Sequence, residues 1–161
     1  MLNRNRRPCL MIALGFLAAT ASAQETDRYV PVKAPYAEKL VRSITAAHPE
    51  MTFIGIHVTP PGKEDNVIIA CTDPSKIGRV STALDMEVVK TKGTKVHFNK
   101  AKNDYEVDQW FSDANGNTLG MIVYHFTGSH AKSEDDAVRL ATAISADLRK
   151  SIPDRDQLFS R

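Results

Sequence analysis

A β-hairpin at residues 104–128 most constrains the fold of this chain. Residues 119–126 form an apolar, β-rich run, and such a run predicts a strand that is covered on both faces at the centre of a sheet. Residues 104–112 alternate between polar and apolar side chains and carry aromatics, as a half-buried strand does. Asn115 and Gly116 lie between the two runs and are typical of a tight turn with positive φ. We therefore predict a sheet built around this hairpin.

The other elements follow from hydrophobic periodicity and from capping residues. A helix is predicted to start at Pro35 and to end before Pro49, and Ser133 is predicted to open a final helix that ends near Lys150. Two short helices are predicted between Thr72 and Gly93. Three further strands are predicted at residues 51–58, 66–72 and 95–99. Antiparallel strands with helices segregated around them indicate the α+β class.

The N-terminus has the pattern of an export signal. Three arginines precede a short apolar stretch at residues 10–19, and Ala21-Ser22-Ala23 matches a signal-peptidase site. The stretch is shorter than the roughly 20 residues that span a bilayer. We therefore predict a signal peptide at residues 1–23 with cleavage before Gln24, and a periplasmic or secreted location without membrane insertion. The organisation expected after it is a linker at 24–34, one domain at 35–152 and a loose tail at 153–161.

Charge and cysteine content exclude several classes of protein. Three of the 21 basic residues lie in the predicted leader, which leaves 18 against 19 acidic residues. A nearly neutral domain without a basic stripe gives no reason to expect nucleic acid as a partner. Cys9 leaves with the leader, so Cys71 has no partner, and its apolar neighbours predict that it is buried. No disulfide framework is expected.

Two turn signatures, at residues 67–78 and 113–120, resemble those of Cache (PAS-like) extracytoplasmic sensor domains. The resemblance covers roughly residues 36–127 and preserves the order and spacing of the two signatures. It implies a five-stranded, mostly antiparallel sheet in strand order 2-1-5-4-3. It also implies that the N-terminal helix covers one face of the sheet, while short helices form a lid over a small-molecule pocket on the other face.

The resemblance further implies a binding or sensor role, here as a free-standing domain, because no membrane helix or output domain is expected after it. The expected partner is a small molecule such as a small carboxylate or an amino acid, and a membrane receptor or kinase is a further candidate partner. The Tyr, Arg, Trp and Asp pattern by which some Cache domains hold amino acids is not recognisable in this sequence. No cofactor is expected.

Strand alternation gives a hypothesis for the ligand site. Ile54, Ile56 and Val58 suit the face packed on the N-terminal helix. The opposite face of the strand is then expected to look toward the lid. Leu119, Met121 and Val123 are assigned to the same helix-packed face. Room left by two mid-strand glycines then suggests a pocket. The candidate ligand-binding residues are Phe53, Gly55, His57, Gly120 and Tyr124, with Thr72 and Asp73 at the rim.

A titrating His57, with a reference pKa of about 6.5, favours an anionic ligand. The alternative interpretation is that the glycines only admit bulky neighbours.

Catalysis is not expected, because no nucleophile elbow is present and the five histidines lack metal-ligand spacing. Asp104, Glu106 and Asp108 share one strand face with Trp110, and this face is interpreted as a solvated edge and not as a cation site. Two other functional classes stay open: an adaptor that binds a membrane signalling protein, and a secreted enzyme with an unrecognised site. An exposed apolar patch favours the adaptor. Convergent, strongly perturbed ionisable groups favour the enzyme.

Overall fold

The computed structural model describes residues 28–161 and confirms the predicted α+β fold. Five strands form one antiparallel sheet in the order β2-β1-β5-β4-β3. The leader and its cleavage site before Gln24 lie outside the described residues. The strands are β1 (Met51–Val58), β2 (Val67–Cys71), β3 (Thr94–Asn99), β4 (Asp104–Ser112) and β5 (Thr118–Thr127), and the helices are α1 (Pro35–Ala47), α2 (Ala83–Thr91) and α3 (Glu134–Lys150).

Short-range signals fix where the helices begin. Pro35 occupies the first turn of α1, where its missing N–H costs nothing. Thr82 and Asp85 form a reciprocal capping box at the start of α2. The Ser133 hydroxyl accepts a hydrogen bond from the Asp136 N–H at the start of α3. These three starts lie where the sequence predicted them.

The β4–β5 turn differs in detail from the prediction. Gly116 has a φ of 84°, whereas Asn115 does not adopt positive φ. The Asp113 carboxylate instead organises the turn, because its Oδ1 accepts hydrogen bonds from the backbone N–H groups of Asn115 and Asn117. An aspartate thus supplies part of the turn geometry that was attributed to Asn115.

Helices α1 and α3 pack on one face of the sheet and enclose the main core. A buried polar contact ties α3 to this face, since the Tyr124 hydroxyl lies 2.7 Å from Ser145 Oγ. Ser145 Oγ in turn donates a hydrogen bond to Gln109 Oε1 at 2.7 Å. The sheet side chains in this core include Ile54, Ile56, Val58, Val107, Phe111, Ile122, Tyr124 and Phe126.

The opposite face of the sheet carries α2 and a smaller cluster in which Val88 packs on Met121 and Val123. The assignment of Met121 and Val123 to the helix-packed face was therefore wrong. The strand register explains why: Met121 lies opposite His57 and Val123 lies opposite Gly55, so these residues share the side of the sheet that carries α2. Gly120, Ile122 and Tyr124 consequently lie on the side of α1 and α3.

The chain ends pack more closely than predicted. The C-terminal residues form a 3₁₀ turn (Asp156–Phe159) against α1, in which the Leu158 side chain has no exposed surface. The Tyr36 N–H donates a hydrogen bond to the Ser160 carbonyl at 3.1 Å, and this contact fixes the turn on α1. The prediction of a loose tail at 153–161 was therefore wrong. Over residues 28–161, no helix is both long and apolar enough to cross a bilayer.

Candidate functional site

A cavity of about 370 Å³ lies between the sheet and the segment that leads into α2, and we call it the α2 cavity. Its walls come from four of the five strands or their connections and from the start of α2. Its lining combines apolar and charged side chains. The lining residues are Phe53, His57, Ile68, Lys76, Arg79, Val80, Thr82, Asp85, Lys102, Glu106, Asp108, Val123 and His125.

The register of the central strands arranges the floor of the cavity in rows. One row runs from Gly55 through Val123 to Asp108, across β1, β5 and β4. The next row joins Phe53, His125 and Glu106, and a third joins His57, Met121 and Trp110. Side chains in one row point to the same face of the sheet. Phe53, Gly55 and His57 thus lie on the face that the sequence predicted.

Gly55 does not leave an empty space on this face. A Cβ atom added at Gly55 would lie 3.1 Å from the Phe53 ring, so the glycine admits that ring. The Phe53 ring meets His125 edge-on with a centroid separation of 5.1 Å, and Lys76 Nζ lies 4.6 Å from its centroid. Phe53 is therefore an aromatic wall with a cation over its face.

His57 is a buried hydrogen-bond donor and acceptor at one end of the cavity. Its Nδ1 lies 2.9 Å from Ser81 Oγ, and the Ser81 hydroxyl donates its own proton to Asn66 Oδ1 at 2.6 Å. The Ser81 oxygen must then accept from His57 Nδ1–H, which leaves the lone pair on Nε2. Burial lowers the pKa of His57 to about 4, an effect that nearby Arg79 reinforces and Asp85 opposes.

The neutral state of His57 differs from the charged state that the ligand hypothesis assumed. The prediction of a charged imidazole that attracts a carboxylate required a pKa near 6.5. With only 6% of its surface exposed, the imidazole loses most of the hydration that stabilises its charged form. His57 therefore presents an acceptor to the cavity near neutral pH and not a positive charge.

Asp108 lies on the cavity floor with an incompletely satisfied carboxyl group. Its Oδ1 atom is buried and has no hydrogen-bond partner among the described residues. The pKa of Asp108 is raised to about 7, mainly by burial and also by the negative charges of Glu106 and Asp85, against the opposing effect of Lys95. Sequence reasoning missed this residue, because α2 covers the strand face that was interpreted as a solvated edge.

The other two carboxylates of that strand are organised around His125. His125 Nδ1 lies 2.6 Å from Asp104 Oδ2, and His125 Nε2 lies 3.5 Å from Glu106 Oε2. Asp104 is buried, and Glu106 lines the cavity. The face formed by Asp104, Glu106 and Asp108 is therefore not a solvated edge.

Four of the predicted site residues lie elsewhere. The Tyr124 hydroxyl contacts Ser145 of α3, and Gly120 lies on the same face as Tyr124. A Cβ atom at Gly120 would lie only 1.9 Å from the His57 carbonyl oxygen, so this glycine permits close packing of β5 on β1. Thr72 and Asp73 follow β2 on the far side of the 3₁₀ turn Pro74–Lys76, where Asp73 caps that turn. The alternative interpretation, that the glycines admit bulky neighbours, thus matches Gly55, whereas Gly120 admits a backbone carbonyl.

Thr72 lines a second cavity of about 580 Å³, which lies between α1 and the end of β2 and which we call the α1 cavity. Its lining combines apolar residues such as Val41, Ala46 and Ile77 with the polar residues Glu38, Arg42 and Thr45. Cys71 also lines it and is buried and unpaired, as predicted. The charged residues of the α1 cavity, Arg42 and Glu38, have exposed side chains and lie 3.9 Å apart as an ion pair. The α2 cavity instead holds the buried His57 and the unpartnered Asp108 oxygen, which makes it the stronger candidate for binding a polar ligand. Between residues 28 and 161, no cluster of three or more His, Cys, Asp or Glu side chains is suited to a metal ion.

Comparisons with known proteins leave this geometry as the main guide to function. No protein-family model matches the chain, and no curated protein matches it. Among solved structures, the crystal structure of the Agobacterium tumefaciens repressor BlcR is similar over 78% of this chain and 68% of that chain. The sequence identity is 12% and the TM-score is 0.44. A likeness of this strength carries no argument about function.

The two perturbed groups predict opposite effects of pH on stability. Unfolded His57 binds a proton below pH 6.5 that folded His57 does not bind until about pH 4, so its contribution to stability is lost as the pH falls. Asp108 behaves in the reverse sense: the folded state holds a proton up to about pH 7, whereas the unfolded state releases it near 3.8. Its contribution is lost as the pH rises.

Asp108→Asn is therefore expected to stabilise the protein at pH 7.5 by about 1–2 kcal/mol, after allowance for partial solvent screening, with little gain at pH 4.5. His57→Asn, which keeps a donor for Ser81, is expected to cost more stability at pH 7.5 than at pH 4.5. Denaturant unfolding of both variants and of the wild type across this range measures the effect. If the unfolding free energy of each variant differs from that of the wild type by the same amount at every pH, both assignments are contradicted.

Proposed function

We propose that this chain is an extracytoplasmic domain that binds a small polar molecule in the α2 cavity, in the manner of a sensor or binding module. The main support is the convergence of His57, Asp85, Glu106 and Asp108 on one cavity beside the Phe53 ring. Small-molecule sites combine apolar walls with a few polar groups that fix orientation. The export-signal pattern and the resemblance to Cache domains support a periplasmic or secreted location, and a membrane receptor or kinase as the partner.

Filling the cavity tests this proposal. Glu106 lines the cavity with a side chain that is 42% exposed, so Glu106→Trp places an indole at its mouth on a strand that tolerates aromatics. Its cross-strand neighbour His97 is exposed and does not line the cavity, which makes His97→Trp a matched control. We expect compounds from a library of small amines, carboxylates and amino acids to raise the melting temperature of the wild type and of His97→Trp.

The same compounds are expected to bind Glu106→Trp at least about tenfold more weakly, a loss of about 1.4 kcal/mol in binding free energy. The proposal fails if no compound in the library stabilises the wild type. It also fails if the Glu106→Trp and His97→Trp variants respond equally.

One observation favours a second candidate, an enzyme that transfers protons. Environments that push the pKa values of two groups in one cavity apart are typical of acid–base catalysis, and His57 and Asp108 form such a pair. A binding domain returns its ligand unchanged. Prolonged incubation of a bound compound with the protein, followed by NMR of the small molecule, separates the two functions: we expect no product, and a product that disappears in Asp108→Asn would establish the enzyme.

A further inference from the structure

We infer that the α2 cavity recognises an ammonium group, which binds beside the unpartnered carboxyl oxygen of Asp108. This inference rests on the proposed function and names the ligand class for the same site. It reverses the charge of the ligand that a protonated His57 would favour.

The hydrogen-bond acceptors around the cavity floor favour an ammonium group as the ligand. Asp108 Oδ1 is buried and lacks a partner, and an unpaired buried oxygen calls for a donor. The tautomer set by Ser81 leaves His57 with an acceptor nitrogen in the same cavity. Asp85 and Glu106 add two further carboxylates to the lining. An ammonium group carries three N–H donors and no acceptor, so it matches this set.

The charged groups that face Asp108 also favour a cationic ligand. The groups come from every element packed around it: Glu106 on its own strand, Asp85 on α2, Lys95 on β3, His57 on β1 and His125 on β5, with Lys76, Arg79 and Lys102 along the connections. Lys95 is paired with Glu87 at 2.6 Å, and Lys76 lies over the Phe53 ring. Lys76, Arg79 and Lys102 balance the formal charge of the lining, but the charges with the largest effect on Asp108 are those of Glu106 and Asp85. An ammonium group beside Asp108 offsets this local repulsion, whereas a carboxylate adds to it.

Binding of an ammonium group at Asp108 releases a proton to solvent. Free Asp108 holds a proton on its carboxyl group up to about pH 7, because burial and the neighbouring carboxylates disfavour its charge. When an ammonium group binds, the O–H bond of Asp108 breaks and the proton goes to solvent, while the ammonium keeps its three protons. Binding of an amine therefore tightens as the pH rises. A carboxylate that accepted a hydrogen bond from protonated Asp108 would show the reverse, with weaker binding at higher pH.

Three compounds of similar size separate these cases: butylamine, butyrate and 2-aminobutyrate. Their dissociation constants for the mature chain are measured by NMR titration at pH 5.5 and pH 8. Both values lie above the range in which His57 titrates. We expect butylamine to bind at least about tenfold more tightly at pH 8 than at pH 5.5, and more tightly than butyrate at pH 8.

Two variants locate the proton. Asp108→Asn is expected to weaken butylamine binding and to remove its pH dependence. Glu106→Gln is expected to retain a pH dependence, shifted to lower pH, because Asp108 remains but loses a neighbouring charge that raises its pKa. The inference is overturned if butylamine binds equally at both pH values, if Asp108→Asn binds it as the wild type does, or if none of the three compounds binds. If butyrate binds in the cavity and butylamine does not, the inference is overturned while the proposed binding function stands. The broader library then decides whether the proposed function also fails.

Discussion

Replacing Gly120 with alanine is expected to destabilise the protein by about 3 kcal/mol or more, or to prevent folding. A Cβ atom at this position would lie 1.9 Å from the His57 carbonyl oxygen, whereas carbon–oxygen contacts seldom fall below about 3.3 Å. The obstacle is backbone and not a flexible side chain, so it cannot rotate away. Relief requires β1 to move away from β5, and these strands form a central pair of the sheet.

Gly55→Ala is the matched control, because Gly55 is also a mid-strand glycine in the same pair of strands. Its added Cβ would meet the Phe53 ring at 3.1 Å, and a side chain can shift by a few tenths of an ångström. We expect a cost of about 1 kcal/mol for Gly55→Ala. Denaturant unfolding measures both variants. Equal costs at the two glycines would show that the close approach of His57 to Gly120 is not the cause.

Replacing Leu158 with alanine is expected to cost about 2–4 kcal/mol, the usual range for deleting a buried leucine side chain. Leu158 has no exposed surface and belongs to the main core together with residues of α1. The 3₁₀ turn that carries it closes the end of that core, so truncation of the side chain leaves a cavity that the surroundings cannot fill.

Asp156→Ala provides the control, since Asp156 lies in the same turn with an exposed side chain. We expect it to change the stability by less than about 0.5 kcal/mol. Thermal and denaturant unfolding of both variants measure the difference. A stability of Leu158→Ala within the same small range would mean that the tail contributes little to the core.

The sequence carried enough local information to predict the elements of this fold. Proline at the start of α1, the capping box at Thr82 and the N-cap at Ser133 act within one helical turn, so they can be read without knowledge of the tertiary structure. The β4–β5 hairpin was likewise visible from its turn and its flanking strands. These signals are short-range, and the structure confirms them.

The face of β5 could not be predicted, because nearly every residue from Leu119 to Phe126 is apolar. A strand buried on both sides carries no alternation that fixes its orientation, and a shift by one residue exchanges its faces. Gly120 and Tyr124 were assigned to the ligand site for this reason. Their true side is fixed by pairing with β1, which is a long-range contact.

Asp108 was missed for a different reason. Three acidic residues alternate along β4, and alternating charges usually indicate a solvated face. The burial of Asp108 depends on α2, which folds over the strand from about 20 residues earlier in the chain. His57 was placed on the correct face, but its charge state depends on its burial in the folded chain. Its tautomer depends on Ser81 and Asn66, which the sequence does not bring together.

The most direct test of the account is to map a bound compound by amide NMR. For compounds that raise the melting temperature of the wild type, we predict that the largest chemical-shift changes occur at residues that line the α2 cavity, with Thr82, Asp108 and Val123 as reporters from three different elements. Val41 and Cys71 report on the α1 cavity and are expected to stay unchanged. Changes centred on Val41 and Cys71, with Asp108 unaffected, would contradict the assignment of the α2 cavity as the ligand site.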